Sequence, residues 1–172
     1  TQVPHQMRAI YAELLGLAEC DVRVVVPHVG GAFGVKLHLY DDEIAVAAAA
    51  MLVGRPVKFV ADRLESFVSD IHARGHTVQA TIAVAADGTI AGFEVDDLME
   101  IGAYSIYPRT SVGEGLHAIT MVGAPYSAEA LRARLRAVFQ TKAPVGSYRG
   151  VGQPIACCLT EHLVDRAAAA LG

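Results

Sequence analysis

Three glycines within five positions constrain this chain more than any other stretch. They lie in the segment Val29-Gly30-Gly31-Ala32-Phe33-Gly34-Val35-Lys36. An apolar run, Val22 to Val26, precedes it, and an alanine-rich run, Asp41 to Val53, follows it. Glycines at this density let the backbone turn tightly and approach a bound group closely. Phe33, set among them, offers a flat ring to a planar partner. A second loop far downstream, Ser147-Tyr148-Arg149-Gly150-Val151-Gly152-Gln153-Pro154, repeats the pattern with an arginine. A glycine-rich turn from strand to helix needs no ligand to explain it, so neither loop alone establishes a site. Nucleotide motifs do not fit. A phosphate loop requires Ser or Thr after Gly-Lys, but Lys36 stands between Val35 and Leu37. Glycines at 30, 31 and 34 also miss the G-x-G-x-x-G dinucleotide spacing.

At 172 residues the chain is long enough for one domain with a substantial core. Its 53% hydrophobic content and mean hydropathy of +0.37 exceed what a free-standing domain of this size needs. Part of that apolar surface is therefore expected to meet another domain. A net charge of −4 argues against nucleic acid as a partner, which would demand a basic face. The three cysteines, Cys20, Cys157 and Cys158, form neither a disulfide framework nor a C-x-x-C metal motif. They read as small buried apolar residues, in keeping with a reducing cytoplasm. The chain opens at Thr1 with neither an initiator methionine nor a signal-peptide pattern, so a piece of a longer cytoplasmic protein is expected. The apolar stretch Ile44 to Val53 is too short to span a bilayer.

Periodicity predicts a helix over 5–16, from Met7, Ile10, Tyr11, Leu14 and Leu15, with Gly16 as its C-cap. Asp21 to Val26 reads as a strand stopped by Pro27. Asp41, Asp42 and Glu43 mark the first turn of a helix running to Val53. Val57 to Val60 reads as a strand followed by a turn at Asp62-Arg63. Residues 77–84 and 89–99 form a hairpin around Ala86-Asp87-Gly88, with Thr77, Gln79 and Thr81 on a wet face. Leu131 to Phe139 is a strand whose Arg132, Arg134 and Arg136 share one solvated or interface side. A helix over 154–171 starts at Pro154 and packs through Ile155, Leu159 and Leu163. Mixed element order with an antiparallel hairpin indicates an α+β fold.

Taken together, the motifs resemble the molybdopterin-binding large subunit of the xanthine dehydrogenase, aldehyde oxidase and carbon monoxide dehydrogenase family. Thr1-Gln2-Val3-Pro4 is similar to the family's T-Q-x-P segment. Gly30 to Lys36 is similar to its G-G-G-F-G-x-K loop, with Ala32 in place of the middle glycine. Ser147 to Pro154 is similar to its A-[YF]-R-G-x-G-x-P loop. Gly54 to Phe59, Asp62 to Glu65 and Leu163 to Arg166 also fit. The resemblance implies that residues 1–172 are one domain of a molybdenum-cofactor subunit. Gln2, Gly30, Gly31, Ala32, Phe33, Gly34 and Arg149 would then face the cofactor, molybdopterin or its cytosine dinucleotide form. An amide at Gln2 suits an oxo group, and a guanidinium at Arg149 suits oxo and phosphate oxygens. Dithiolene sulfurs of the pterin would hold the metal, so no Cys/His ligand cluster is required. The implied chemistry is hydroxylation with water as the oxygen source. Electrons would leave through iron–sulfur and FAD centres on other domains or subunits.

Departures from the family pattern narrow the substrate. The purine-oxidising branch grips its substrate with a glutamate, an arginine and a phenylalanine; the matching positions here are Leu37, His117 and Val151. Leucine and valine cannot pair with a purine edge, so an aldehyde or another small carbonyl or heterocyclic compound is expected. Gly150 lacks the sulfur of the carbon monoxide branch. Glu114, in Gly113-Glu114-Gly115, looks like the family's catalytic base motif but lies before the arginine loop instead of far beyond it. It therefore reads as a loop or cap residue, and no catalytic residue is assigned. His28 and His38 read as surface or hydrogen-bonded residues. Tyr104 and Tyr107 fit either a funnel border or core packing. The competing reading is a binding or assembly module that keeps the fold without the cofactor.

Overall fold

The computed structural model describes residues 1–172. Five α-helices and three strands follow one another in mixed order: α1 (Pro4–Leu15), α2 (Asp41–Val53), α3 (Arg63–Ser69), β1 (His76–Val84), β2 (Ile90–Gly102), α4 (Gly113–Met121), β3 (Ala130–Phe139) and α5 (Gln153–Leu171). The fold is α+β, as expected, around one three-stranded mixed sheet ordered β1-β2-β3. β1 and β2 are the antiparallel hairpin, with His76 opposite Met99 and Val84 opposite Ile90. β3 runs parallel to β2, from Gly92 opposite Ala130 to Gly102 opposite Phe139. A parallel neighbour needs a long crossover, and α4 lies within it.

Alternation on β2 decides the core. Phe93, Val95, Asp97, Met99 and Ile101 point inward and are buried, while Glu94, Asp96 and Glu100 point outward. Phe93 and Val95 pack with Val122 and Leu163, and Met99 and Ile101 with Val145. α5 lies on this face through Ala156, Thr160 and Leu163. The Thr160 hydroxyl oxygen accepts the Gly123 backbone N–H at 2.9 Å. α4 reaches the sheet at Gly115, where a Cβ would lie 2.7 Å from Leu135 and 2.8 Å from the Met99 sulfur. On the outer face the three arginines of β3 meet β2 carboxylates: Arg132 with Glu94 at 3.2 Å, Arg134 and Arg136 with Asp96 at 3.9 and 3.0 Å. Being exposed, these pairs hold the strands with little energy.

Several expectations are corrected. Asp21 closes the 3-10 turn Glu19–Asp21, and Val22–Val26 and Val57–Val60 join no sheet, because a strand needs a neighbour and none of these 172 residues supplies one. The turn at Asp62-Arg63 is the start of α3. The Glu65 N–H donates to Asp62 Oδ1 at 2.8 Å and the Asp62 N–H to Glu65 Oε2 at 2.8 Å, a reciprocal capping box. Cys20, Cys157 and Cys158 are exposed, not buried. α5 turns Ala156 and Thr160 to the core, which leaves its two cysteines facing out. α2 buries none of its side chains, and Leu52 on it is 87% exposed. No helix is long and apolar enough to cross a membrane.

Gly152 opens α5, and a Cβ there would fall 2.2 Å from the Ala118 nitrogen and 2.4 Å from the Glu114 carbonyl oxygen. Both are backbone atoms of α4 and cannot rotate aside. Gly152→Ala should therefore lower the unfolding free energy by about 1–3 kcal/mol. Gly113→Ala, with nothing within 4 Å of the added carbon, should leave it unchanged or raise it by up to about 1 kcal/mol. Denaturant titration of the two variants against the parent checks the pair.

Candidate functional site

The two glycine-bearing loops meet. The Arg149 backbone N–H donates to the Phe33 carbonyl oxygen at 2.9 Å. Gly34 sits so close to the second loop that a Cβ would be 2.2 Å from the Ser147 carbonyl oxygen, and its φ of +96° favours glycine independently. The N-terminal segment closes a third side. The Gln2 N–H donates to the Lys36 carbonyl at 2.8 Å, and Gln2 Oε1 accepts the Gly34 N–H at 3.1 Å. That bond orients the side-chain amide and leaves its NH2 group unpaired and exposed.

Phe33 is 58% exposed, unusual for a phenylalanine. The Arg149 guanidinium carbon lies 5.6 Å from its ring centre, within cation–π range. Arg149 is exposed and has no carboxylate partner. Non-glycine residues with a left-handed backbone are few: Phe33 at φ +53°, Arg74 at φ +66° and Val151 at φ +51°. Phe33 and Val151 lie one in each loop, and Arg74 bonds to the second. For valine, with its branched Cβ, this conformation is a genuine outlier. Such strain persists only where surrounding contacts enforce it, and it concentrates at functional sites.

The expected site residues divide between contact and proximity. Gln2, Gly34, Phe33 and Arg149 share direct contacts. Gly30 and Gly31 turn with positive φ beside Phe33, and a Cβ on Gly31 would meet that ring at 3.2 Å; Ala32 accepts the Val35 N–H at 2.9 Å. Leu37 is half-buried in the 3-10 turn Val35–Leu37 that follows. Val151 lies within the arginine loop. His117 is on α4, next to the Ala118 backbone that packs against Gly152. Tyr104 and Tyr107 are 47% and 49% exposed and lie outside the core.

Two buried histidines support the loops and behave oppositely. His38 is 1% exposed, and its Nε2 accepts the Ser147 N–H at 3.1 Å. This tethers the end of the first loop to the start of the second. Burial pulls its pKa down to about 4, and Arg109 pushes the same way. His76, at the start of β1, places Nδ1 2.8 and 2.9 Å from the two Asp97 carboxylate oxygens and Nε2 3.4 Å from Glu114 Oε1. Burial would lower its pKa, but the hydrogen bond to Asp97 and then the nearby Glu114 carboxylate outweigh this and raise it to about 9.

Glu114 is not the loop or cap residue expected. It is 1% exposed, in the first turn of α4, and its Oε1 accepts the Arg74 backbone N–H at 2.6 Å. Arg74, His76, Asp97 and Glu114 thus form a quartet of two cationic and two acidic groups, enclosed except for the partly exposed Arg74 and missed in the sequence. The available signal was Asp97, an acid at an inward position of an otherwise apolar β2 face.

The unpaired donors carried by these contacting segments are the Gln2 NH2, the Arg149 guanidinium and glycine-rich backbone. Neither loop contains a carboxylate. This set fits a planar, oxygen-rich, anionic group. The molybdopterin cofactor-binding domain model matches residues 1–172. The chain belongs to the molybdopterin cofactor-binding domain family. Within that family it is 35% identical over 98% of its length to the gamma subunit of the 6-hydroxypseudooxynicotine dehydrogenase complex of Paenarthrobacter nicotinovorans, covering 21% of that protein. It is 30% identical over its whole length to a putative xanthine dehydrogenase molybdenum-binding subunit of Escherichia coli K12, covering 22% of it. The crystal structure of quinoline 2-oxidoreductase from Pseudomonas putida 86 superposes with a TM-score of 0.90 at 35% identity, over 100% of this chain and 22% of that one. The chain spans about a fifth of the length of these relatives.

The two histidines give a directional test by NMR. His38 should stay neutral down to about pH 4, and His76 should stay charged up to about pH 9. Because folding raises the His76 pKa, its stabilisation is complete below the unfolded value near 6.5 and is lost as pH rises through about 9. The loss should be on the order of 3 kcal/mol. Unfolding curves from pH 6 to 10 should show that decline in the parent and not in His76→Gln.

Proposed function

We propose that this chain is the cofactor-cradling domain, residues 1–172, of a molybdenum hydroxylase that oxidises an aldehyde or an N-heterocycle with water as the oxygen source. The observation that carries this reading is the bond from the Arg149 N–H to the Phe33 carbonyl. It joins both loops and leaves their free donors and the exposed ring on one surface. Molybdopterin, as such or as its cytosine dinucleotide form, would supply the metal and the redox chemistry.

The chain's own residues bind and orient that group. Gly30, Gly31, Ala32 and Gly34 let the backbone come close, and Phe33 covers its metal end with an apolar surface. The Gln2 NH2 donates to an acceptor oxygen there without changing the charge. Arg149 balances negative charge with fixed donors. A guanidinium already paired to a carboxylate would do this poorly, and Arg149 has none. Leu37, His117 and Val151 border the substrate side, where leucine and valine favour an apolar substrate edge over paired polar contacts. One relative is named for an N-heterocycle that is not a purine, quinoline, which supports that half of the substrate class. Electrons would leave through iron–sulfur and FAD domains or subunits, and the protein would work in the cytoplasm. The competing module reading, fold without cofactor, lacks a reason for Phe33 and Val151 to be held in strained conformations.

Molybdenum and pterin analysis of the intact protein tests the proposal. The parent should carry both. Arg149→Ala should lower occupancy by roughly tenfold or more, the scale of a lost charge-assisted contact. An intact protein free of molybdenum under conditions that load a related enzyme would leave the module reading in its place.

A further inference from the structure

Arg149 has two backbone groups, and each is held by a different partner. Its N–H donates to the Phe33 carbonyl. Its carbonyl oxygen accepts a hydrogen bond from Arg74 Nη2. Gly150 at φ +83° and Val151 at φ +51° follow immediately. Without the second bond, the peptide unit that aims the Arg149 side chain is fixed at one end only. The Arg74 guanidinium also covers the neighbouring Tyr148 ring, its carbon 5.3 Å from the ring centre.

Arg74 is itself strongly constrained. Its backbone N–H donates to Glu114 Oε1 at 2.6 Å, and its Nη1 lies 3.7 Å from Glu114 Oε2. Its φ of +66° is one a non-glycine residue adopts only under such constraint. Glu114 is fully enclosed and faces His76, which is held by Asp97. The chain of contacts therefore runs from the inner face of the sheet, through α4, to the carbonyl of Arg149. It also settles a charge problem. Two arginines lie next to each other here, but the charge of Arg74 is offset by Glu114. That of Arg149 remains available.

We propose that Arg74 is a positioning residue for Arg149. It clamps the Arg149 carbonyl through one guanidinium nitrogen while the Glu114 carboxylate and the Tyr148 ring hold the guanidinium nearby, and so sets the direction in which Arg149 presents its charge. The inference rests on the reading of the two loops as a cofactor cradle. It requires an arginine: a lysine keeps the charge opposite Glu114 but cannot direct separate nitrogens to Glu114 and to the Arg149 carbonyl while staying over the Tyr148 ring.

The test is the rate at which the intact, loaded protein releases molybdenum and pterin, read without turnover. Four proteins are compared: parent, Arg74→Lys, Arg149→Ala and the double variant. Arg74→Lys should accelerate release by at least about tenfold. In the Arg149→Ala background, the same change should add less than about twofold. A general loss of stability would accelerate release equally in both backgrounds, and that result overturns the proposal. Unchanged release in Arg74→Lys, with faster release in Arg149→Ala, also overturns it while leaving the cradle reading intact. Unchanged release in Arg149→Ala removes the cradle reading and this inference with it. Tyr148→Leu, which removes an exposed ring, serves if Arg74→Lys does not fold. It should accelerate release in the parent background and not in Arg149→Ala; equal effects in both, or none, count against the proposal.

Discussion

Three buried ionisable groups and one partly exposed arginine hold the working parts of this molecule in place. Asp97 projects from β2 into a face otherwise built of phenylalanine, valine, methionine and isoleucine. Glu114 enters the same interior from α4. A buried carboxylate without a partner would be severely destabilising, so neither could remain there without His76 and Arg74. The pairing forces β1, β2 and α4 into one arrangement. It also carries that arrangement outward, because Arg74 bonds directly to the arginine loop. Replacing such a group with a well-packed apolar set often costs little stability. What apolar residues cannot supply is a directed donor at the Arg149 carbonyl.

The cradle is assembled by close backbone approach more than by side chains. Gly34 lies against the Ser147 carbonyl and Gly152 against the backbone of α4. His38 closes the seam from within, accepting an amide N–H and remaining neutral. In this frame Phe33 and Val151 hold conformations they would leave if released. A cradle fixed by its own contacts in this way would lose less entropy on binding. The same construction exposes Phe33 and leaves Arg149 without a counter-charge. Both are costly arrangements for a loop whose only task is to connect two elements.

Local signals in the chain varied in how clearly they could be read. The hairpin, α1 and α5 follow from alternation, helical spacing, Asp87-Gly88, Gly16 and Pro154, all local properties that tertiary contacts left in force. α3 was legible in principle, since Asp62 and Glu65 have the spacing of a capping box. α4 was hidden because Gly113 and Gly115 are poor helix formers; Gly115 is there because nothing larger fits beneath Met99 and Leu135. The apolar runs at Val22–Val26 and Val57–Val60 have strand composition without strand partners. Cys157 and Cys158 were misjudged since their burial depends on which side of α5 meets the sheet.

By itself, the sequence determined the α+β class, the hairpin and its turn, and the two glycine-rich loops with Phe33 and Arg149, together with Gln2. These depend on residue type and short-range spacing, which a linear chain displays directly. Only the tertiary structure decided that β3 lies parallel to β2, that the loops touch, and that Arg74, His76, Asp97 and Glu114 come together. Arg74 and Arg149 are far apart in sequence, and no periodicity links them. Their contact exists because the crossover carrying α4 folds over the sheet and brings a buried acid to the arginine that reaches across the seam.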